Sequence, residues 1–321
     1  MPDFDFQAEA AKRDSPEAVV AREASRTKFE GLNAGQAASV AGEAFPAVVD
    51  DPAGGPPKLL AGKSIIGYST DNAAQVDLPD GKHAVIESIA PIALETSGGG
   101  HVPVDLGLSE TGDAFEPKTP VVGVRFPKSL GEGLQLSAAG VSLTPVNAQG
   151  AALGGSEGIL DGASVLYANT QTDMDSLVKP TTEGFAADTL LRSVESPQQL
   201  YFRVGLPAGA SLVQAKDGSG DVEVVKEDAT IATVLPPGAQ DAAGTAVPVS
   251  MSVSGNTLVL GVADHAAEYQ YPVEVDPEVT GKDVQLTKEG SKRSNWEFYT
   301  GKETGKKNPA QTSRPQKKAV C

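Results

Sequence analysis

Between about Gly184 and Pro277 the apolar residues recur at every second position, and this period of two constrains the fold more than any other feature of the chain. Leu200, Phe202, Val204 and Leu206 share one side of an extended segment, while Tyr201, Arg203 and Gly205 occupy the other. Val249, Met251 and Val253 alternate with Ser250, Ser252 and Ser254, and Gly255-Asn256 turns the chain into Leu258, Leu260 and Val262. Tyr269, Tyr271, Val273 and Val275 repeat the pattern with Pro272 on the opposite parity, which predicts an edge strand or one whose amide at that point faces out.

The same period appears earlier. Ala74, Val76 and Leu78 precede an Asp80-Gly81 turn, and Ala84-Val85-Ile86 returns from it. Further strands are expected around Val102–Leu108, Val121–Phe126, Leu134–Leu136, Val141–Val146 and Ser164–Ala168. The separating turns are too short for crossover helices, so the fold class is mainly β, built as one or two antiparallel β-sandwich modules. Asn147–Gly162 is small, polar and glycine-rich, and predicts an internal boundary. The expected organisation is a helical segment with a Pro/Gly linker over 1–58, a first β module over 59–147, a linker over 148–163, a second β module over 164–279, and a disordered basic tail over 280–321.

Ahead of the strands, Ser15-Pro16-Glu17 reads as an N-cap, a proline at the first helical position and an acid in the first turn, predicting a helix to about Phe29. Asn33 with Gln36 has the spacing of a capping box and opens a second, alanine-rich helix expected to end near Gly42. Asp51–Pro57 interrupts regular structure as a linker. Val102–Ser109 and Val247–Ser254 agree at four of eight positions with their apolar residues in phase. Two related modules, or convergence on any proline-entered half-buried strand, would account for that similarity.

Charge narrows the function. From residue 281 onward there are ten Lys/Arg against four Asp/Glu, a net +6, which leaves residues 1–280 at −22 out of a total of −16. An acidic body repels phosphate backbones, so nucleic acid is excluded as a partner. The single cysteine, Cys321, rules out a disulfide within the chain. Met1–Phe6 has neither the basic nor the apolar region of a signal peptide, and no apolar run approaches the eighteen or so residues of a membrane-spanning helix.

Residues able to carry chemistry are sparse. His83, His101 and His265 lack metal-ligand spacing, and His83, after a turn, and His265, in an Asp264-His265-Ala266 loop, read as solvated loop residues. No G-x-S-x-G is present, and Cys321 has no neighbour that would activate it. Gly98-Gly99-Gly100 and Gly154-Gly155 lack the strand-to-helix setting of a phosphate cradle. Asp173-Met174-Asp175 is the one close carboxylate pair. It reads either as a loop that ligates calcium, without the EF-hand series, or as a solvated turn or helix-start pair. No catalytic, cofactor-binding or metal-binding residue is assigned, and no cofactor is expected.

One resemblance stands out. Val165-Leu166-Tyr167-Ala168-Asn169, Asp173-x-Asp175-x-Leu177-Val178-Lys179-Pro180, Leu191-Arg192-Ser193-x-x-Ser196-Pro197, Leu206-Pro207-x-Gly209-Ala210-x-Leu212, Asp241-Ala242-x-Gly244 and Tyr271-Pro272-Val273-x-Val275-Asp276-Pro277 resemble a region found ahead of the YD repeats in secreted RHS-type proteins of actinobacteria, relatives of the wall-associated proteins. The resemblance covers about 160–279 and extends less closely over 60–147. It implies a β-sandwich presented on a large exported polypeptide, at the cell surface or outside the cell. The chain departs from that pattern in lacking YD repeats and a signal peptide, so neither a repeat shell nor a toxin activity carries over. The resulting expectation is a non-catalytic front-end domain with an adhesive or scaffolding role, from a truncated or orphan open reading frame, with other surface proteins or cell-wall polysaccharide as partners. The rival is a carbohydrate-binding β-sandwich acting on cell-wall glycan. It would require Tyr68, Tyr167 or Tyr201 to group on one exposed sheet face, since the one tryptophan, Trp296, lies outside the expected domains.

Overall fold

A computed structural model describes residues 31–50, 64–88, 90–264 and 269–281, together with the backbone of the strand Trp296–Tyr299 and the residues Ser15, Pro16 and Val20. The chain divides into two compact units. The first takes Met1–Ala53, Gly107–Lys118 and Val122–Asp283; the second takes Gly54–Leu106, Thr119–Val121 and Val284–Cys321.

The fold is mainly β and antiparallel, with a helix near the N-terminus. In the first unit, an eight-stranded sheet runs from Val249–Ser254 through Thr257–Val262, Gln199–Gly205, Val141–Val146, Leu134–Leu136, Val124–Pro127 and Ala114–Thr119 to Asp105–Thr111. A second, ten-stranded sheet runs from Ile159–Asp161 through Ser164–Gln171, Met174–Pro180, Gly184–Leu191, Glu278–Gly281, Ala229–Val234 and Val222–Lys226 to Ala210–Gln214. Val273–Asp276 also pairs with Gly184–Leu191, and Gly238–Asp241 pairs with Val273–Asp276. The two sheets face each other. Phe126 of one meets Phe185 of the other edge-on at 5.8 Å, and the buried Tyr167 hydroxyl donates across to the Pro127 carbonyl at 2.6 Å. This is a β-sandwich.

The strand Gln199–Gly205 buries Leu200, Phe202 and Val204 and leaves Gln199 and Arg203 exposed, as its alternation predicts. The hairpin Val249–Ser254/Thr257–Val262 forms in full register around Gly255-Asn256, with Gly255 at φ +60°, where a side chain is disfavoured. By contrast, all eight residues of Gly184–Leu191 are buried. One face of this strand meets the opposite sheet, while the other lies under the helix Ala34–Ala44. Ala37, Ala41, Phe45 and Val49 pack there on Leu166, Ala168, Leu177 and Leu190. The expected capping box is present. Gln36 N donates to Asn33 Oδ1 at 3.0 Å, and Asn33 N donates to Gln36 Oε1 at 2.9 Å. The helix runs to Ala44, two residues past the expected end, because Gly42 meets no steric conflict and Phe45 anchors the last turn in the core.

Two expectations need correction. Residues 148–163 do not separate two modules, because Val141–Val146 pairs directly with Gln199–Gly205 and Val146 also bridges to Ala152. The polar stretch is a local turn stitched by Asn147, whose Oδ1 accepts from the Gln149 and Ala151 amides. Of the two alternatives for Pro272, the edge strand does not form, and the proline sits where no ladder amide is needed. It precedes Val273–Asp276, which has a partner on each side, so the missing amide interrupts no ladder. Gly281 closes the strand Glu278–Gly281, the backbone of Trp296–Tyr299 pairs with His83–Ser88 in the second unit, and the rest of the expected basic tail lies outside the described residues. Most of the helix expected over Ser15–Phe29, the Asp51–Pro57 linker, His265 and Cys321 lie outside the described residues.

In the second unit, Ser64–Thr70, Ala73–Asp77, His83–Ser88 and Trp296–Tyr299 form a four-stranded sheet in that order. Its core is Ala74, Val76, Ala84 and Ile86, flanked by Ile65, Tyr68, Leu78 and Ile92. The predicted Asp80-Gly81 turn closes the Ala73–Asp77/His83–Ser88 hairpin, with Gly81 N donating to Leu78 O. A separate hairpin pairs Ala93–Glu95 with His101–Pro103. Of the two similar octapeptides, one enters Asp105–Thr111 and the other Val249–Ser254, the two outer strands of the eight-stranded sheet.

Candidate functional site

The close pair Asp173 and Asp175 sits at the tight connection between Ser164–Gln171 and Met174–Pro180, and Asp173 takes a left-handed conformation there at φ +46°. Asp173 is half-buried in the turn, whereas Asp175 is fully buried. Asp175 (0 % exposed) faces Arg192 (1 % exposed), with Nε to Oδ2 at 3.4 Å, and Asp175 Oδ1 accepts from the Asn169 amide at 2.7 Å. Arg192 Nη2 donates to Asn169 Oδ1 at 2.7 Å, and Asn169 Nδ2 donates to the Leu32 carbonyl at 2.9 Å. The group therefore ties the hairpin to the residue before the helix N-cap. Asp173 serves the segment after the strand instead. Its Oδ2 accepts from Ser193 Oγ at 2.6 Å, and its carbonyl accepts from Ser196 Oγ at 2.7 Å and the Arg192 amide at 2.8 Å.

Burial raises the Asp175 carboxyl above its ordinary value, and the neighbouring Arg192 guanidinium opposes that shift. An aspartate so enclosed, with its oxygens turned to an arginine and a backbone amide, has no side open to a hydrated cation. The arrangement is a buried ion pair, and its chemistry is to hold chain segments together.

Two further polar groups follow the same logic. Asp241 accepts the Ala243 and Thr245 amides on Oδ1 and the Gln270 amide on Oδ2, at 2.8–2.9 Å. Burial pushes this carboxyl up, but the three backbone donors outweigh it and hold it below the usual carboxylate range. The Tyr271 hydroxyl donates to the Asp264 carbonyl at 2.6 Å and lies 3.1 Å from Asp264 Oδ2, and burial pushes its ionisation upward.

A row of acids went unnoticed in the sequence. On the helix-facing side of the ten-stranded sheet, Glu274, Asp276 and Glu278 alternate along the chain, and Asp188 continues the same face on the neighbouring strand. Asp188 and Glu274 are 2 % and 4 % exposed. Glu274 Oε2 accepts from Gln240 Nε2 at 2.9 Å, Asp276 Oδ1 accepts from the Gly238 amide at 2.6 Å, and Lys179 Nζ donates to the Val48 carbonyl at 3.3 Å. Burial, then repulsion from Glu274, raises Asp188 well above the ordinary aspartate value. Burial and repulsion from Glu278 raise Glu183 to about 7. The spacing Glu-x-Asp-x-Glu was the available signal, but in isolation it reads as the wet face of a strand. A buried carboxylate pair of this kind does not flank an open cleft as glycoside hydrolysis requires.

Of the three histidines, His83 Nδ1 lies 2.6 Å from Asp77 Oδ1 on an exposed surface, and His101 Nε2 lies 3.4 Å from Asp71 Oδ1, the two being in the second unit. Among the described residues no three His, Cys, Asp or Glu side chains are placed to hold a metal ion. Tyr167 and Tyr201, in the first unit, do not share an exposed sheet face, and Tyr68 belongs to the second unit. Tyr167 is buried between the sheets, and Tyr201 ties its hydroxyl to Gln199 Oε1 at 2.5 Å. Between the sheets, Val146, Leu153, Met174, Thr189, Leu200 and Phe202 line a gap of about 10 Å³, room for about one water molecule.

No protein-family model matches the chain, and no curated protein matches it. Among the described residues no helix is long and apolar enough to cross a membrane.

Proposed function

We propose that this chain is a non-catalytic front-end β region of an RHS-like surface or secreted protein, with an adhesive or scaffolding role outside the cell or on its surface. The observation that supports this reading is how the residues carrying the resemblance are used. Asp173, Asp175, Arg192, Ser193 and Ser196 are joined to one another, Asp241 closes a turn, and Tyr271 pins Asp264. These residues hold turns and strand ends together. Side chains enclosed in this way maintain a rigid presenting surface and leave no group poised to attack a substrate.

The test is retention of the fluorescently labelled full chain on actinobacterial cells and isolated cell walls, with soluble reducing ends measured in the same samples. The reading predicts saturable retention and no release of sugar. Release of reducing ends above the buffer level, or no retention on any surface, would overturn it.

A further inference from the structure

Val249–Ser254 is the outermost strand of the eight-stranded sheet, and among the described residues nothing pairs with its outer side. Open sheet edges are ordinarily blunted by charge, proline, a bulge or shortness. This one has none of these devices. It is six residues long, carries no charge or internal proline, and keeps unbroken register with Thr257–Val262. The opposite outer strand, Asp105–Thr111, carries Asp105 and Glu110. Ile159–Asp161, at one end of the ten-stranded sheet, is only three residues long and includes Asp161. Ala210–Gln214, at its other end, is also uncharged and lies beside Val249–Ser254, so the two unguarded edges share one end of the sandwich.

The hydrogen-bond phase shows which backbone groups are on offer. The Ala263 amide donates to the Pro248 carbonyl, and the Val262 amide donates to the Gln198 carbonyl on the other side of that strand. Odd-numbered residues of Thr257–Val262 therefore bond toward Val249–Ser254, where they meet Ser250, Ser252 and Ser254. This leaves the N–H and C=O groups of Val249, Met251 and Val253 pointing outward.

We propose that this edge joins two copies of the chain, with the strands antiparallel about a two-fold axis at Met251. In that register Met251 opposes Met251 of the second copy, Val249 opposes Val253, and Ser250 opposes Ser252. The outward-pointing residues then become the hydrogen-bonded pairs of the new ladder, and apolar meets apolar on the inner face while serine meets serine on the outer. A shift by one residue would place apolar side chains opposite serines. The occupant follows from this self-complementarity and from charge. In a chain of net −16, an uncharged edge is where copies approach with least repulsion. The remaining repulsion is screened over about 8 Å at physiological ionic strength, so association strengthens as salt is added.

The experiment is sedimentation equilibrium of the full chain across a salt series, beside Met251→Pro and Ser252→Glu. Proline at 251 removes an outward amide and leaves the internal ladder intact, while glutamate at 252 places two like charges near the axis. The expected result is a doubled mass for the wild type, favoured by salt, and a single-chain mass for each variant with an unchanged circular dichroism spectrum. A wild type that stays at the single-chain mass at high concentration and high salt overturns the proposal. So does a dimer that survives Ser252→Glu, which also decides the matter should Met251→Pro fail to fold.

Discussion

Gln199–Gly205 and Gly184–Leu191 are strands of similar length in the same unit, yet they are buried in different ways. The first alternates and is wet on one face; the second is closed on two, by the opposite sheet and by the helix Ala34–Ala44. Alternation in sequence records only the first situation. In the second, apolar and polar residues are buried together, so Asp188 and Thr189 lie among Phe185, Leu190 and Leu191 without a break in the strand. Polar groups in that environment need partners from the chain itself, and this is why the aspartate, arginine and serine motifs collect around it.

The contrast can be broken most forcefully at Arg192. Arg192→Ala leaves Asp175 buried without its counter-charge and frees Asn169 from one partner, and is expected to lower stability by about 3–5 kcal/mol in urea unfolding. Next come Leu190→Ala and Leu191→Ala, which point to opposite faces of the doubly covered strand. Each is expected to lose about 2–5 kcal/mol, because neither face is wet. A negligible loss for Leu190→Ala would mean that the helix does not cover the sheet.

The acids give a smaller, pH-dependent effect. Glu183 holds its proton to about 7 in the folded chain against an ordinary 4.5, so the folded state binds more protons between those values. Stability therefore falls as pH rises from about 4.5 to about 7 and levels off above. The group is partly exposed, which reduces the contribution to on the order of 1 kcal/mol. Melting temperature across that window should decline in the wild type and decline less in Glu183→Gln. The smallest effect is expected on the wet face of the first strand. Arg203→Ala, losing one hydrogen bond to the Gly150 carbonyl, should change stability by about 0.5 kcal/mol or less.

The same contrast explains what was legible beforehand. Leu200, Phe202, Val204, the Gly255-Asn256 hairpin and the Asn33/Gln36 capping box are local features whose physics is complete within a few residues, and each was readable. The boundary placed at 148–163 failed because pairing of Val141–Val146 with Gln199–Gly205 is a long-range event that composition does not encode. Val222–Lys226 and Ala229–Val234 were not anticipated, since Lys226, Glu227, Asp228 and Thr230 between their apolar residues read as loop. Asp173 and Asp175 were visible as a pair, but their partner Arg192 lies on the far side of a strand. Nothing in the spacing indicated that Asp175 would be fully buried.

Under the proposed function the motif residues maintain the fold, and surface binding does not depend on them. The direct measurement is cell-surface retention of the double variant Asp175→Leu/Arg192→Met, with its unfolding transition recorded alongside. Replacing a buried ion pair by apolar residues of similar size is commonly neutral for stability. The prediction is a cooperatively folded variant retained on cells as well as the wild type. A variant that folds with wild-type cooperativity yet loses retention would contradict the account and place function in the Asp175–Arg192 pair itself.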